Sequence, residues 1–545
     1  SSHDQLVFGL GKEKNVEEVK IIWPDGRKEV LLTLPANQTI SLDYKNSSLI
    51  PVEEEVVAYY FERVQDSLIN FVHKEDNFDD FSNEYLIPHK LSTEGPKIAV
   101  GDINNDGLED FFIAGAKGQA GTIFKQVKDD GSNHFERVFV PAIEDDIDQE
   151  DVDAIFVDID ADGDQDLYVV SGGGFTKDLS LYEDRLYLND GTGTLKKYIG
   201  ELPKSNGSVV EKGDFNKDGL IDLFIGTRSE FGSYGVSPNS YVLYTKEINL
   251  GVRPNFNIGI VKNLGMVTDA SWDAKEEDLV VVGEWMPITF LEFEGDSISL
   301  KRELPNSAGL WNTVKREDIN GDNQKDLLVG NLGLNSSWTA SKDYPLKLIV
   351  KDWDQNGSVD PIIAYYKEGK EWVYNSLDEL KKQMPLVRKR YNNYESYAND
   401  DLGKVFSKED LRSAQVKMVQ TLVSTIYLNH NGVYEPERLA REVQMAPIFT
   451  FFVQDFNVDG ISDIMAAGNF KGYTPSLGKQ DVSFGNILIG DSSGNWQTME
   501  PTKSGFYSNG IIRDIKPIKL GNRQYILIGN NNGPLEIFKI KTPIN

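Results

Sequence analysis

The chain has 545 residues, with 56 Lys and Arg against 86 Asp and Glu, five His and no Cys, for a formal net charge of -30. So acidic a chain disfavours nucleic acid as a partner. The lack of cysteine excludes disulfides, thiol nucleophiles and thiolate-bound zinc, and no apolar run is long enough to span a bilayer as a helix, so no transmembrane segment is expected.

In chain order, residues 1–45 read as a small β module. Val19-Lys-Ile-Ile-Trp23 has strand-like alternation, Pro24-Asp-Gly26 marks a turn, and Val30 to Leu34 supplies a second strand. The chain opens on Ser1-Ser-His3 with neither initiator methionine nor signal peptide, so a processed or partial piece of a longer protein is expected. Residues 46–94 form a connector rich in acidic and aromatic side chains.

Residue 95 onward is organised by one recurring loop. Its most acidic copy places Asp158, Asp160, Asp162 and Asp166 at positions 1, 3, 5 and 9, with Gly163 at position 6 where the chain must bend. Carboxylates at 1, 3, 5 and 9, the carbonyl of Asp164 at position 7 and one water make an oxygen cage suited to calcium, which takes six to eight oxygens. The pattern repeats with Asp102, Asn104, Asp106, Leu108 and Asp110; with Asp214, Asn216, Asp218, Leu220 and Asp222; with Asp352, Asp354, Asn356, Ser358 and Asp360; and with Asp455, Asn457, Asp459, Ile461 and Asp463. A sixth copy, Asp318, Asn320, Asp322, Gln324 and Asp326, carries Asn323 in place of the glycine, and asparagine tolerates a left-handed backbone. Five or six calcium ions are therefore expected. An EF-hand would close on a glutamate at position 12 between helices; here position 9 closes and a strand follows. The alternative, a solvated turn without metal, would leave nineteen aspartates at ligand positions to repel one another uncompensated.

An apolar run follows each closing residue, and two eroded copies keep the run without the cage: Asp278-Leu-Val-Val-Val-Gly after a shortened loop at Asp273, and Gln524-Tyr-Ile-Leu-Ile-Gly. Closing positions 110, 166, 222, 278, 326, 463 and 524 form one register whose first three intervals are each 56 residues. With hairpin signals about twenty residues downstream, each unit has room for four strands, the size of a propeller blade. The expectation is all-β: a seven-bladed β-propeller over 95–545 with the 352–360 loop inside an enlarged fifth or sixth blade, eight blades being the alternative. From about Ser376 to Met418 the texture turns helical, opening on the capping box Ser376-Leu-Asp-Glu379. This helical insertion, 376–418, is expected to project from one face and to dock a partner.

The loop with its following strand, repeated around a propeller, resembles the FG-GAP/VCBS repeat family, which includes the integrin α-subunit head. Phe8-Gly-Leu-Gly11, Trp23-Pro-Asp-Gly26 and Leu34-Pro-Ala-Asn-Gln-Thr39 resemble the ASPIC/UnbV module. Gly95-Pro96, Gly283-Glu-Trp-Met-Pro287, Asn331-Leu-Gly-Leu-Asn335 and Gly468-Asn469 are similar to the large VCBS/ASPIC proteins of Bacteroidota, of which this chain would be the carboxy-terminal half. That resemblance implies export, often as a surface lipoprotein encoded near SusC/SusD-type outer-membrane transporters.

The functional expectation is a non-enzymatic, calcium-stabilised scaffold or binding subunit, extracellular or at the surface of a Gram-negative outer membrane. Millimolar calcium outside cells favours that location. The partner would be a protein such as a SusC/SusD-type transporter, or a glycan. The rivals are a calcium-dependent lyase or glycosidase, and a lectin stacking sugars on Trp285, Trp338, Trp353 or Trp372. No catalytic residues are assigned: His3, His73, His89, His134 and His430 show no triad or metal spacing. The basic cluster Lys381, Lys382, Arg388, Lys389 and Arg390 is read as a solvated helix face or as a docking patch for an acidic partner.

Overall fold

Each closing position begins a strand because a β-branched or aromatic run follows it. These strands are Asp110–Ile113, Asp166–Ser171, Asp222–Thr227, Asp278–Met286, Asp326–Gly330, Asp463–Gly468 and Arg523–Asn531. The first six are buried along their whole length, as strands covered on both faces must be. The computed structural model describes residues 8–23, 27–47, 59–64, 69–129, 132–246, 254–491 and 494–541. It divides into two compact units, Ser1–Ala58 and Tyr59–Asn545.

In the first unit, Asn15–Ile22 pairs antiparallel with Lys28–Pro35, from Asn15 opposite Pro35 to Ile22 opposite Lys28. The turn expected at 24–26 lies outside the described residues, as does His3.

The second unit is a propeller of antiparallel sheets. Its inner strands are Ile98–Gly101, Asp151–Val157, Gly207–Gly213, Met266–Asp273, Thr313–Glu317, Ile448–Gln454 and Ile511–Leu520. They adjoin in that order, and the last returns to the first, so the described residues close a ring of seven blades, here numbered 1 to 7. Three strand bulges turn an aspartate toward the next blade. Asp153 Oδ2 accepts from Val210 N, Asp269 Oδ2 from Val314 N and Asp514 Oδ2 from Ile98 N, each at 2.9 Å. These bonds clip blade to blade at the level of the backbone.

The seventh blade borrows its outer strand. Phe61–Arg63, within the stretch read as a connector, pairs with Glu536–Ile540, and Arg63 meets Glu536 at 2.6 Å. The ring is thereby closed by residues from before and after the repeats. Residues 69–94 then run across the end of the propeller remote from the acidic loops, where the inner strands begin. Leu535 N donates to Phe71 O, Phe78 packs edge-on to Phe175 and Phe231, and Lys90 N donates to Gly472 O.

Between the second and third strands of blade 5 lies an inserted sheet of Leu346–Lys351, Asp360–Lys367, Lys370–Val373 and Gln415–Val419. The 352–360 loop belongs to this sheet, inside the enlarged fifth blade. Five short helices over 377–413 cover it, burying Leu377, Leu380, Tyr391 and Phe406 against Ile349 and Ile362. The capping box forms as expected, Ser376 N donating to Glu379 Oε2 at 2.8 Å and Glu379 N to Ser376 Oγ at 3.3 Å. The helical reading to Met418 is corrected at its end. Gln415–Val419 is a strand on Leu346–Lys351, because its backbone completes that sheet's edge.

Candidate metal-binding loops

All six loops share one hydrogen-bond frame. Both oxygens of the first aspartate accept backbone amides: Asp162 N and Gly163 N each lie 3.1 Å from Asp158. The same pair of bonds recurs at Asp102, Asp214, Asp318, Asp352 and Asp455. The position-5 oxygen accepts from the position-7 amide at 2.7–3.0 Å in every copy. Such turns need left-handed backbone twice. Position 6 is glycine at φ 80 to 97°, or Asn323 at φ 65°, and position 4 lies at φ 54 to 77°. The residues at position 4 include Ala161 and Val458, for which that conformation is costly. Sequence reading found the bend at position 6 and missed the one at position 4, which glycine marks only at Gly321.

The closing aspartates have a second duty that the sequence did not disclose. Asp110, Asp166, Asp222, Asp326, Asp360 and Asp463 are all at most 1 % exposed. One oxygen of each accepts from the position-2 amide at 2.8–3.3 Å. In five loops the other reaches an amide on or just past the third strand of the same blade, at Gln126, Asn189, Thr245, Asn429 and Gly490; in the sixth it reaches Gln383 Nε2. Each residue staples its loop to the sheet and keeps lone pairs free for a cation.

Position 3 carries the observation that bears on metal. Asn104 Oδ1, Asp160 Oδ1 and Asp354 Oδ1 are buried and have no hydrogen-bond partner in the protein. In the two loops with aspartate there, oxygens of Asp158, Asp160 and Asp166, and of Asp352, Asp354 and Asp360, lie within 4.8 Å of one another. Burial, then the neighbouring carboxylates Asp162 and Asp158, lift Asp160 to about 6. Burial likewise lifts Asp110 and Asp326 to about 6 and Asp166 and Asp222 to about 7, and raises Asp360 and Asp463. Orphaned hard oxygens under mutual repulsion fit a calcium-class cation. The carbonyls expected at 108, 164, 220, 324, 358 and 461 stand inside these loops, and the Asp164 side chain is taken by Asn105 Nδ2 of the neighbouring blade.

The eroded loops are compensated differently. In blade 4, Arg316 from blade 5 sets Nη1 2.5 Å from Asp278 Oδ1 and Nε 3.9 Å from Asp273 Oδ2, while Lys325 Nζ lies 3.4 Å from Asp273. Burial pushes Asp273 up, but amide bonds from Lys275 and Glu276 and the charges of Arg316 and Lys325 outweigh it and leave it below its usual value. In blade 7, Gln524 exchanges side-chain hydrogen bonds with Gln454 at 2.9 and 3.2 Å.

Other expected surfaces fare unevenly. Trp285 and Trp338 are each 3 % exposed and Trp353 packs on Phe406, so none of these three is free to stack a sugar; Trp372 is half-buried. Arg388 Nε donates to Lys381 O and Arg390 Nη1 to Val405 O, which ties two of the five clustered cations to the carbonyls of neighbouring helices. His73 and His89 are buried and His430 is exposed. His134 lies near Asp129 and Glu136, with ligand atoms within 4.8 Å, a juxtaposition made by hairpin pairing that linear spacing does not show.

Residues 1–49 match the family model described as ASPIC and UnbV, and residues 158–225, which span the second and third loops, match that described as FG-GAP-like repeat. The chain thus carries an ASPIC/UnbV match at its start and an FG-GAP-like repeat match within the propeller. Solved structures similar to this chain include Saccharomyces cerevisiae Sqt1, at 9 % identity and TM-score 0.41 over 87 % of this chain and 100 % of that one. Another is the Neurospora crassa Pan2 WD40 domain, at 9 % and 0.38 over 86 % and 92 %. No curated protein matches the sequence.

Proposed function

We propose that the chain is a non-enzymatic, calcium-stabilised scaffold that acts at the cell surface and presents a propeller to a protein or glycan partner. The observation that carries this reading is the set of orphaned, buried position-3 oxygens in three loops built on one frame. Calcium would be held by positions 1, 3, 5 and 9 with the position-7 carbonyl, and its chemistry there is structural: it cancels carboxylate repulsion and fixes the loop. FG-GAP-like repeats support a binding or scaffold role and an extracellular or surface location, and no described helix is long and apolar enough to cross a membrane. Neither matched family description names a catalytic activity.

As partner we assign an outer-membrane nutrient transporter of the SusC/SusD type, docked through the inserted helices, where Leu386 and Tyr394 are 56 and 51 % exposed. Preordered loops lower the entropy lost on docking. Metal analysis of the purified chain, with native purification in mild detergent and mass spectrometry of co-purifying chains, tests both parts. Calcium at five or six equivalents together with a transporter supports the reading. A metal-free native protein defeats the calcium part, and turnover of a glycan by the isolated chain defeats the non-enzymatic part.

A further inference from the structure

The acidic loops join the ends of the inner strands to the second strands. A cavity of about 60 Å³ lies at the other end of the propeller, lined by the starts of inner strands at Val152, Ser208, Thr268 and Phe449 and by Arg513 of blade 7. Residues of several blades line it together, so it sits on the propeller axis. The 69–94 segment contributes His89, Lys90, Thr93 and Glu94 to its wall.

Four hydrogen-bond donors on this wall are buried without a partner in the protein: Arg228 Nε, Asn312 Nδ2, Trp338 Nε1 and Arg513 Nε. Among the described residues no acceptor on the wall is in that condition. The imbalance has a sign: what this wall lacks is an acceptor.

The charges agree. Glu94 and Glu284 are the wall's carboxylates, and both are engaged. Arg228 meets Glu94 at 2.5 Å and Glu284 at 2.6 Å, while His89 Nε2 and Tyr234 OH approach Glu284 at 2.8 and 2.9 Å. Arg513, 2 % exposed, has no such partner. Its Nη1 and Nη2 donate to the neutral carbonyls of Asn469 and Thr93 at 3.1 and 3.3 Å, and its plane stands 4.0 Å from the Phe449 ring centre. Burial lowers this guanidinium to about 10, with the charge of Glu75 opposing and the like charge of Arg228 adding to the shift, which leaves it charged at neutral pH. A desolvated cation that makes no ion pair among the described residues, with Glu75 acting on it only through space, is costly, and a guanidinium's donors match a carboxylate better than any other common group.

We propose that the axial cavity binds a small carboxylate, held by Arg513 Nε with Asn312 Nδ2, Trp338 Nε1 and Arg228 Nε. Since one water needs about 10–15 Å³ of such space, the cavity of about 60 Å³ has room for an acid the size of acetate, or for the carboxylate head of a larger acid. This site is independent of the calcium loops and of the transporter assignment.

The full chain, calcium-loaded, is titrated with sodium acetate, sodium D-galacturonate and sodium chloride at constant ionic strength, following heat and indole fluorescence. Acetate is expected to bind saturably at one equivalent while chloride gives no saturable signal. Arg513→Gln should weaken acetate by about tenfold or more. If that variant does not fold, Asn312→Asp, which sets a negative charge on the wall, should weaken acetate to a similar degree. Competition between galacturonate and acetate identifies the head of a sugar acid as the source, and its failure identifies a free small acid. The proposal is overturned by the absence of saturable acetate binding in the millimolar range, by an equal response to chloride, or by undiminished binding in every variant that folds.

Discussion

The Asp158–Asp166 loop of blade 2 and the Asp273–Asp278 loop of blade 4 stand at equivalent corners of equivalent sheets, and they solve one electrostatic problem in two ways. Both crowd carboxylates where an inner strand turns into the second strand. In blade 4 the compensating cation is covalent, since Arg316 arrives from the next blade and its guanidinium lies against Asp278. In blade 2 Asp160 Oδ1 is as devoid of hydrogen bonds as Asp273 Oδ2 is in blade 4, but among the described residues no side-chain cation approaches it, and Asp166 is pushed up to about 7 by burial. The difference teaches what a corner crowded with carboxylates asks for: blade 4 answers with a neighbour's arginine, and the proposed calcium would answer in blade 2. Where the arginine is built in, the loop can shorten and lose its glycine.

The largest expected effect is that calcium removal separates the two regions. A site held at a hundred times its dissociation constant contributes about 2.7 kcal/mol, and several sites act together, so verified metal removal should lower the melting temperature substantially. Hydrogen exchange should then rise in the hairpins around 158–166 and 214–222 and stay unchanged around 273–278. Equal loss of protection at both kinds of corner would sink the comparison.

Next in size is the reciprocal variant. Arg316→Leu removes the guanidinium that pairs with Asp278 and leaves only Lys325 beside Asp273, at a cost of about 3–5 kcal/mol. Added calcium should not restore this loss, because the shortened loop carries Lys275 at position 3 and its Glu277 is paired with Lys217. Thermal melts of the variant with and without calcium decide it; full rescue by calcium would mean that blade 4 retains a cage after all.

These contrasts mark what the sequence could disclose. The strand register was legible because each closing residue is followed by a buried apolar run at a regular interval, and the cage because its ligands are local. Arg316 was not legible, since it is recruited across a blade boundary from a strand whose pattern announces only burial. Nor was the closure of blade 7: Phe61–Arg63 is too short to show alternation and is chosen by its partner Glu536–Ile540. The staple made by each closing aspartate was hidden in the same way, because the amide it bonds lies one or two strands further on. Trp285 and Trp338 looked like candidates for ligand stacking only because burial is a property of the packed fold.

A smaller effect, confined to one corner, follows from Asp160→Ala. It deletes the orphaned oxygen and one carboxylate of three lying within 4.8 Å. Calcium stoichiometry should fall by about one equivalent and calcium-dependent stabilisation by about the 2.7 kcal/mol of one well-filled site, with blade 4 unaffected. An unchanged metal count would remove this loop from the set of sites.

The last effect is a slope with pH whose sign should depend on calcium. In the calcium-free chain, Asp110 and Asp326 are lifted to about 6 and Asp166 and Asp222 to about 7, chiefly by burial. The unfolded chain keeps them near the usual value of about 3.9. Between those limits the native state binds more protons than the unfolded one, so stability falls as pH rises: these groups contribute fully below about pH 4 and lose that contribution through about pH 6 to 7. Calcium reverses the sense, because ligation needs ionised carboxylates and protons compete for the same oxygens. Asp273, held below its usual value beside Arg316, contributes above the ordinary aspartate range and loses that contribution only in more acidic solution, outside this window. Melting temperatures of dialysed, metal-free protein should therefore rise from about pH 7.5 to pH 5, while those of calcium-saturated protein fall. Slopes of the same sign in both forms would mean that the closing aspartates do not share their protons' place with the metal, and that the raised carboxyls answer only to burial.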